Sequence, residues 1–206
     1  MSMALRRCLR LFLTVLILVL LLPLNACAVE SPASSSAPSA TADAPPTPDP
    51  RPTPASSKGP ARNLPRPVLP ESAKQNTKEG FEAFTQYWFD TITYALETGD
   101  SAPLKESSLP DCKICNDYIE RSASLKTSGS WAVGPIWKTE DIQVDMRADS
   151  RGQISAYFFL IEADSVEYST DGSVRKTTPR SSSEDPFSVR AIHQDLGWRI
   201  AEVKMA

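Results

Sequence analysis

One histidine among 206 residues and only four cysteines leave little from which to build a metal centre. Structural zinc takes four ligands and catalytic zinc three plus water. Cysteines 112 and 115 with a single distant histidine, His193, do not meet either count. Cations are also scarce. Residues 71–206 carry 15 basic against 22 acidic side chains, a formal charge of −7. A field of that sign, with no basic stripe interleaved with aromatics, excludes nucleic acid and docking on anionic lipid. A membrane-length apolar run is missing too. Leu11 to Leu22 is the longest, and twelve residues make a helix of only about 18 Å against a hydrocarbon core of about 30 Å. From Cys27 to Pro70 the large aliphatics dwindle to Val29, Leu64, Val68 and Leu69. That segment cannot bury enough apolar surface to offset its ordering entropy.

What is present begins with a basic head, Arg6, Arg7 and Arg10, before the short apolar run. This is the pattern of a signal peptide over residues 1–26. Leu24-Asn25-Ala26-Cys27 resembles the bacterial lipobox. The resemblance implies cleavage before Cys27 and a diacylglyceryl group on its thiol, with the protein held on the outer face of the cell membrane. One acyl chain holds only marginally, whereas two or three on one residue anchor durably. Residues 27–70 hold twelve of the eighteen prolines among Ser, Ala and Thr. They read as a disordered, semi-rigid stalk of polyproline II character.

Residues 71–206 are one domain's worth of chain. Over 77–97, Phe81, Phe84, Trp88, Ile92 and Ala95/Leu96 recur at three- and four-residue steps. This predicts a helix capped by Asn76 or Thr77 and closed at Gly99-Asp100. "SAPLKESS" suits one short helical turn with Pro103 near its start. A second long helix is expected from Asp111 as N-cap to Gly129, with Cys115, Ile119, Ser122 and Leu125 along one side. The period then changes to two. Ile142, Val144, Met146 and Ala148 alternate with Gln143, Asp145 and Arg147, which describes a half-buried strand ending at the Asp149–Gly152 turn. Ile154 to Ala163 is apolar on both faces, as in a central strand. Asp171-Gly172 marks a hairpin, and "PFSVRAIHQ" and "GWRIAEVKM" supply two more strands. Helices first and strands after give an α+β class, with N-terminal helices packed on a curved antiparallel sheet of four to five strands.

That element order and the closing "GWRIAEV" resemble the nuclear transport factor-like, or cystatin-like, cone, in which a sheet wraps a long helix. The lipobox, the proline stalk, "EGFEAF", "YALETGDSAPL" and "CKIC" are similar, in that order, to a family of uncharacterised actinobacterial lipoproteins. The resemblance implies a place in the cell envelope and brings no assigned activity with it.

Cysteines 112 and 115 are the most chemical-looking pair. At a helix start, residues i and i+3 lie about 5 Å apart at Cα, within disulfide range, and an extracytoplasmic compartment is oxidising. A structural disulfide is the favoured reading. Thiol–disulfide exchange stays open because a helix N-terminus stabilises a thiolate, although Asp111 opposes it. Metal binding is the weakest alternative. His193 reads as solvent-facing at a strand end. Tyr87, Tyr157, Asp145 and Glu162 are polar candidates for a cone interior, but none is assigned a catalytic role, and no cofactor is expected. Two functional readings follow. One is a non-enzymatic envelope module binding a protein, a wall component or a small apolar ligand. The other is a cone-fold isomerase or hydrolase, which a cone filled by Phe81, Trp88, Phe158 and Phe159 would exclude. The doubly apolar strand also permits a sheet-mediated homodimer.

Overall fold

The computed structural model of the protein describes residues 50–195 and 197–206. The signal peptide expected over residues 1–26, Cys27 and the first half of the expected stalk lie outside the described residues, as does Leu196. Helix α1 spans Lys78–Thr98, α2 Ala102–Glu106 and α3 Lys113–Thr127. Eight strands follow: β1 Trp131–Val133, β2 Trp137–Asp145, β3 Gln153–Glu162, β4 Ser165–Tyr168, β5 Val174–Thr178, β6 Ser181–Ser182, β7 Phe187–Gln194 and β8 Gly197–Met205. The class is α+β, as the element order predicts.

Helix α1 starts where Thr77 Oγ1 accepts from the Gly80 N–H at 3.0 Å. It stops at Gly99, whose left-handed backbone (φ 74°) lets its N–H reach the Ala95 carbonyl. Phe81, Phe84, Trp88, Phe89, Ile92, Ala95 and Leu96 are buried along it. A fully buried large side chain of this kind contributes about 1.5–3 kcal/mol, so this one face dominates the core. Its two buried threonines stay satisfied locally: Thr85 donates to the Phe81 carbonyl and Thr91 to that of Trp88.

Strands β2-β3-β7-β8 form one antiparallel sheet, with β6 continuing the pairing of β3. Ile154, Ala156 and Phe158 of β3, Val189 and Ala191 of β7, and Trp198 and Ile200 of β8 are buried toward α1. Bulges between Glu140 and Gln143 and between Arg190 and Ala191 interrupt the register; such bulges bend and twist a sheet. The edge at β8 is not bare. The segment joining α2 to α3 runs beside it, with Leu109 N–H donating to the Ile200 carbonyl at 2.7 Å and Ile200 N–H to that of Ser107 at 2.9 Å. Trp88 Nε1–H donates to Ser108 Oγ at 3.0 Å and so ties this segment to the core helix.

A second sheet, β1-β4-β5, was not separable in the sequence. The strand expected from Ile154 to Ala163 is β3, which ends at Glu162, and the chain changes sheets at Ala163-Asp164 before β4. There Ala163 N–H donates to the Ile136 carbonyl, Asp164 accepts from Arg180 N–H, and the chain leaves one sheet for the other. The Asp171-Gly172 hairpin then joins β4 to β5.

The stalk expectation needs correction at its C-terminal end. Residues 53–62 make a small hairpin, with Thr53 and Arg62 exchanging both backbone bonds at 2.8 Å. Trp131 Nε1–H donates to the Ser56 carbonyl at 2.8 Å. Arg66 pairs with Asp100 at 3.0 Å, and Leu69 packs against the core. The prolines here need no partner for a missing N–H. The side chains between them supply contacts that composition alone conceals.

Candidate functional site

Cysteines 112 and 115 form a disulfide with Cα atoms 5.3 Å apart. The N-cap of α3 is Cys112 rather than the expected Asp111, because the tethered sulfur occupies the capping position and accepts from Cys115 N–H at 3.4 Å. Both cysteines are 0% exposed and lie in the main core. Exchange requires a thiolate to reach a disulfide sulfur, and burial denies that approach.

The polar candidates do not converge. Tyr157 is on the outer sheet face, 53% exposed. Asp145 faces outward beside Arg147, whose side-chain and backbone N–H groups hold its carboxyl below the ordinary range. Tyr87 is half-buried against Phe84, and burial, then Glu106, pushes its phenol up. Glu162 stands at the end of β3. His193 is not simply solvent-facing. It is half-buried, its Nε2 lies 3.0 Å from the Lys74 carbonyl, and its ring meets Trp198 edge-on at 4.8 Å. Trp198 Nε1–H donates to the Gln75 carbonyl at 2.9 Å. The two side chains clasp the short turn Ser72–Lys74, which is a fastening role. Among the described residues no group of three or more His, Cys, Asp or Glu side chains is placed to hold a metal ion.

The cone is only partly filled. Phe81, Trp88 and Phe158 are buried inside it, whereas Phe159 points outward and is 38% exposed. An open cleft of about 500 Å³ remains between the start of α3, the middle of α1 and the ends of β3, β7 and β8. Its apolar wall comprises Trp88, Phe89, Ile114, Leu160, Phe187, Val203 and Met205, with Tyr118 among them. Tyr118 crosses Trp137 edge-on at 5.8 Å. Burial, reinforced by Glu162, raises its phenol above the ordinary value, so it remains a hydrogen-bond donor. At the rim, Lys113 pairs with Asp117 at 2.7 Å and Lys204 with Glu202 at 3.2 Å. The expected Cys115–Leu125 stripe does not include this wall. Ile114 and Tyr118 are a second apolar pair four residues apart beside that stripe, and their spacing was the available signal.

A second depression of about 330 Å³ adjoins the first and shares Leu160, Phe187 and Met205 with it. Its remaining wall is polar: Glu162, Ser181, Ser182, Ser183, Glu184 and Asp185. Ser183 Oγ is already engaged by the Leu160 N–H at 2.9 Å.

These features define the class of the protein: an α+β domain in which a curved antiparallel sheet wraps a long aromatic helix and leaves a cleft at one end. Residues 50–204 match the family model described as "Family of unknown function (DUF6318)", and the chain belongs to that family. The match begins at residue 50, just ahead of the 53–62 hairpin, and not at residue 71. No curated protein matches in sequence. Among solved structures, the chain is similar to the intermembrane space region of the chloroplast protein ARC6, at 14% identity and TM-score 0.43, over 63% of this chain and 95% of that one. It is similar to an uncharacterised protein with a cystatin-like fold from Caulobacter vibrioides, at 18% identity and TM-score 0.34, over 59% and 83%. It is also similar to Aln2 from a Streptomyces species, at 12% identity and TM-score 0.33, over 62% and 89%. At these scores the likenesses carry no function to this chain.

Proposed function

We propose that the protein is a membrane-anchored extracytoplasmic lipoprotein whose folded domain is a non-enzymatic binding module for a small apolar ligand. The observation that carries the binding reading is the cleft of about 500 Å³ lined by Trp88, Phe89, Ile114, Tyr118 and Leu160. It lies in the size range of small-molecule sites and has their mix of an apolar wall and few polar groups. Tyr87, Tyr157, Asp145 and Glu162 lie scattered, so no two of these four candidates pair as the acid and base of an isomerase or hydrolase. The anchor reading rests on the Leu24–Cys27 motif behind its short apolar run; among the described residues no helix is long and apolar enough to cross a membrane.

The binding test is a titration of the chain from residue 27 onward, carrying Cys27→Ser, with the uncharged fluorophore N-phenyl-1-naphthylamine. Saturable binding that Leu160→Arg abolishes supports the cleft; no binding, or binding indifferent to Leu160→Arg, removes it. For the anchor, Cys27→Ala should lose both metabolic palmitate labelling and membrane fractionation. Retention of both would refute lipidation at this residue. A second reading concerns partners. Tyr157 and Phe159 stand exposed on the outer face, and Asp145 and Arg190 lie on opposite sides of Ser155 in register. A two-fold axis along β3 would set Asp145 of one copy over Arg190 of the other. A monomer by analytical ultracentrifugation at high micromolar concentration would rule out that sheet-mediated dimer.

A further inference from the structure

The two joined depressions differ in chemistry, and the difference specifies a ligand. This inference rests on the binding reading above and adds the nature of the head group. We infer that the cleft takes a single-chain amphiphile whose apolar body lies against Trp88, Phe89 and Leu160 and whose uncharged, hydroxylated head lies against the Ser181–Asp185 wall. Three observations support it. The depressions share Leu160, Phe187 and Met205, so one molecule can occupy both. The polar wall contains hydroxyls and the carboxyl groups of Glu162, Glu184 and Asp185, and among the described residues no lysine or arginine lines it. Carboxylates accept hydrogen bonds and serines both donate and accept, which is the complement of a polyhydroxyl head. The same carboxylates repel phosphate or sulfate heads, which would lose water without gaining a cation. Finally, Tyr118 lines the first depression and offers its phenol as a donor for the linking oxygen of such a head.

Isothermal titration of the chain from residue 27, with Cys27→Ser, against four octyl probes below their critical micelle concentrations tests this. Octyl glucoside should bind at least tenfold tighter than 1-octanol, and octyl phosphate at least tenfold weaker than octyl glucoside. Ser182→Ala/Asp185→Asn should weaken octyl glucoside at least fivefold and leave 1-octanol unchanged. Octyltrimethylammonium binding as tightly as the glucoside would overturn the hydroxylated head in favour of plain cation attraction. Equal binding of octanol and glucoside would overturn the head assignment while the apolar cleft stands. Binding of none of the four would remove the cleft reading itself. Both substituted positions are on an exposed segment, and an unchanged circular dichroism melt separates lost contacts from lost fold.

Discussion

Asp100 illustrates how a single side chain secures two segments. Its carboxylate accepts from Ala102 N–H at 3.0 Å, opening α2, and pairs with Arg66 at 3.0 Å. The Ala102 N–H first, and then Arg66, holds the Asp100 carboxyl below its ordinary value of 3.8. A carboxylate lowered on folding stabilises the fold fully above the unfolded value and loses that contribution as pH falls through the lower folded value. The midpoint of urea unfolding should therefore fall between pH 5 and pH 3 by less in Asp100→Asn than in the unaltered protein. Identical falls would show that Asp100 contributes nothing to acid sensitivity. The site is partly exposed, so a high-salt control should reduce the difference.

At the scale of elements, the start of α1 and the start of α3 are each fixed by one unusual requirement. A Cβ added at Gly80 would collide with the Gln75 carbonyl oxygen and come within 2.8 Å of that of Ser72. Both are backbone atoms, in a turn held from the far side by His193 and Trp198. Gly80→Ala, although favourable to helix propensity by about 1 kcal/mol, should destabilise by roughly 1–3 kcal/mol through overpacking. Chemical denaturation would show it, and a stabilised variant would mean that the turn yields freely. At α3 the disulfide closes a four-residue loop, worth about 2 kcal/mol by the loop-entropy estimate. Cys112→Ala/Cys115→Ala should lower the melting temperature by several degrees, since a domain of this size shifts by about 2–4 °C per kcal/mol. Under the proposed binding reading, it should leave the affinity for N-phenyl-1-naphthylamine in place. A loss of affinity larger than about twofold would mean that the pair also positions Ile114 and Tyr118.

At the scale of the whole molecule, the boundary of the folded unit is the testable quantity. Residues 50–70 contribute the Ser56 bond to Trp131, the Arg66 pair and the Leu69 contact. A chain starting at residue 71 should melt several degrees below one starting at residue 50, and calorimetry would decide it; equal melting temperatures would return those residues to the stalk. Much of the architecture was legible beforehand. The stripe from Phe81 to Leu96, the caps at Thr77 and Gly99, the Asp149–Gly152 turn and the apolar strand at Ile154 all follow from local spacing. The hairpin at 53–62 was not legible, because its stability comes from Trp131, which is 75 residues from Ser56 in sequence. Nor was the second sheet, because a run apolar on both faces does not announce where it changes partners.

Local sequence was enough to set the class of fold, the caps of α1 and the pairing distance of Cys112 with Cys115, since each depends on neighbours within a few positions. Three other properties came from tertiary packing. It placed Phe158 in the core but Phe159 on the outer face, because a strand's alternation fixes opposite faces without saying which one is covered. It buried the disulfide, which local spacing cannot reveal. It left a cleft where α3 meets the sheet ends, since a void is a property of how elements diverge and no single element encodes it.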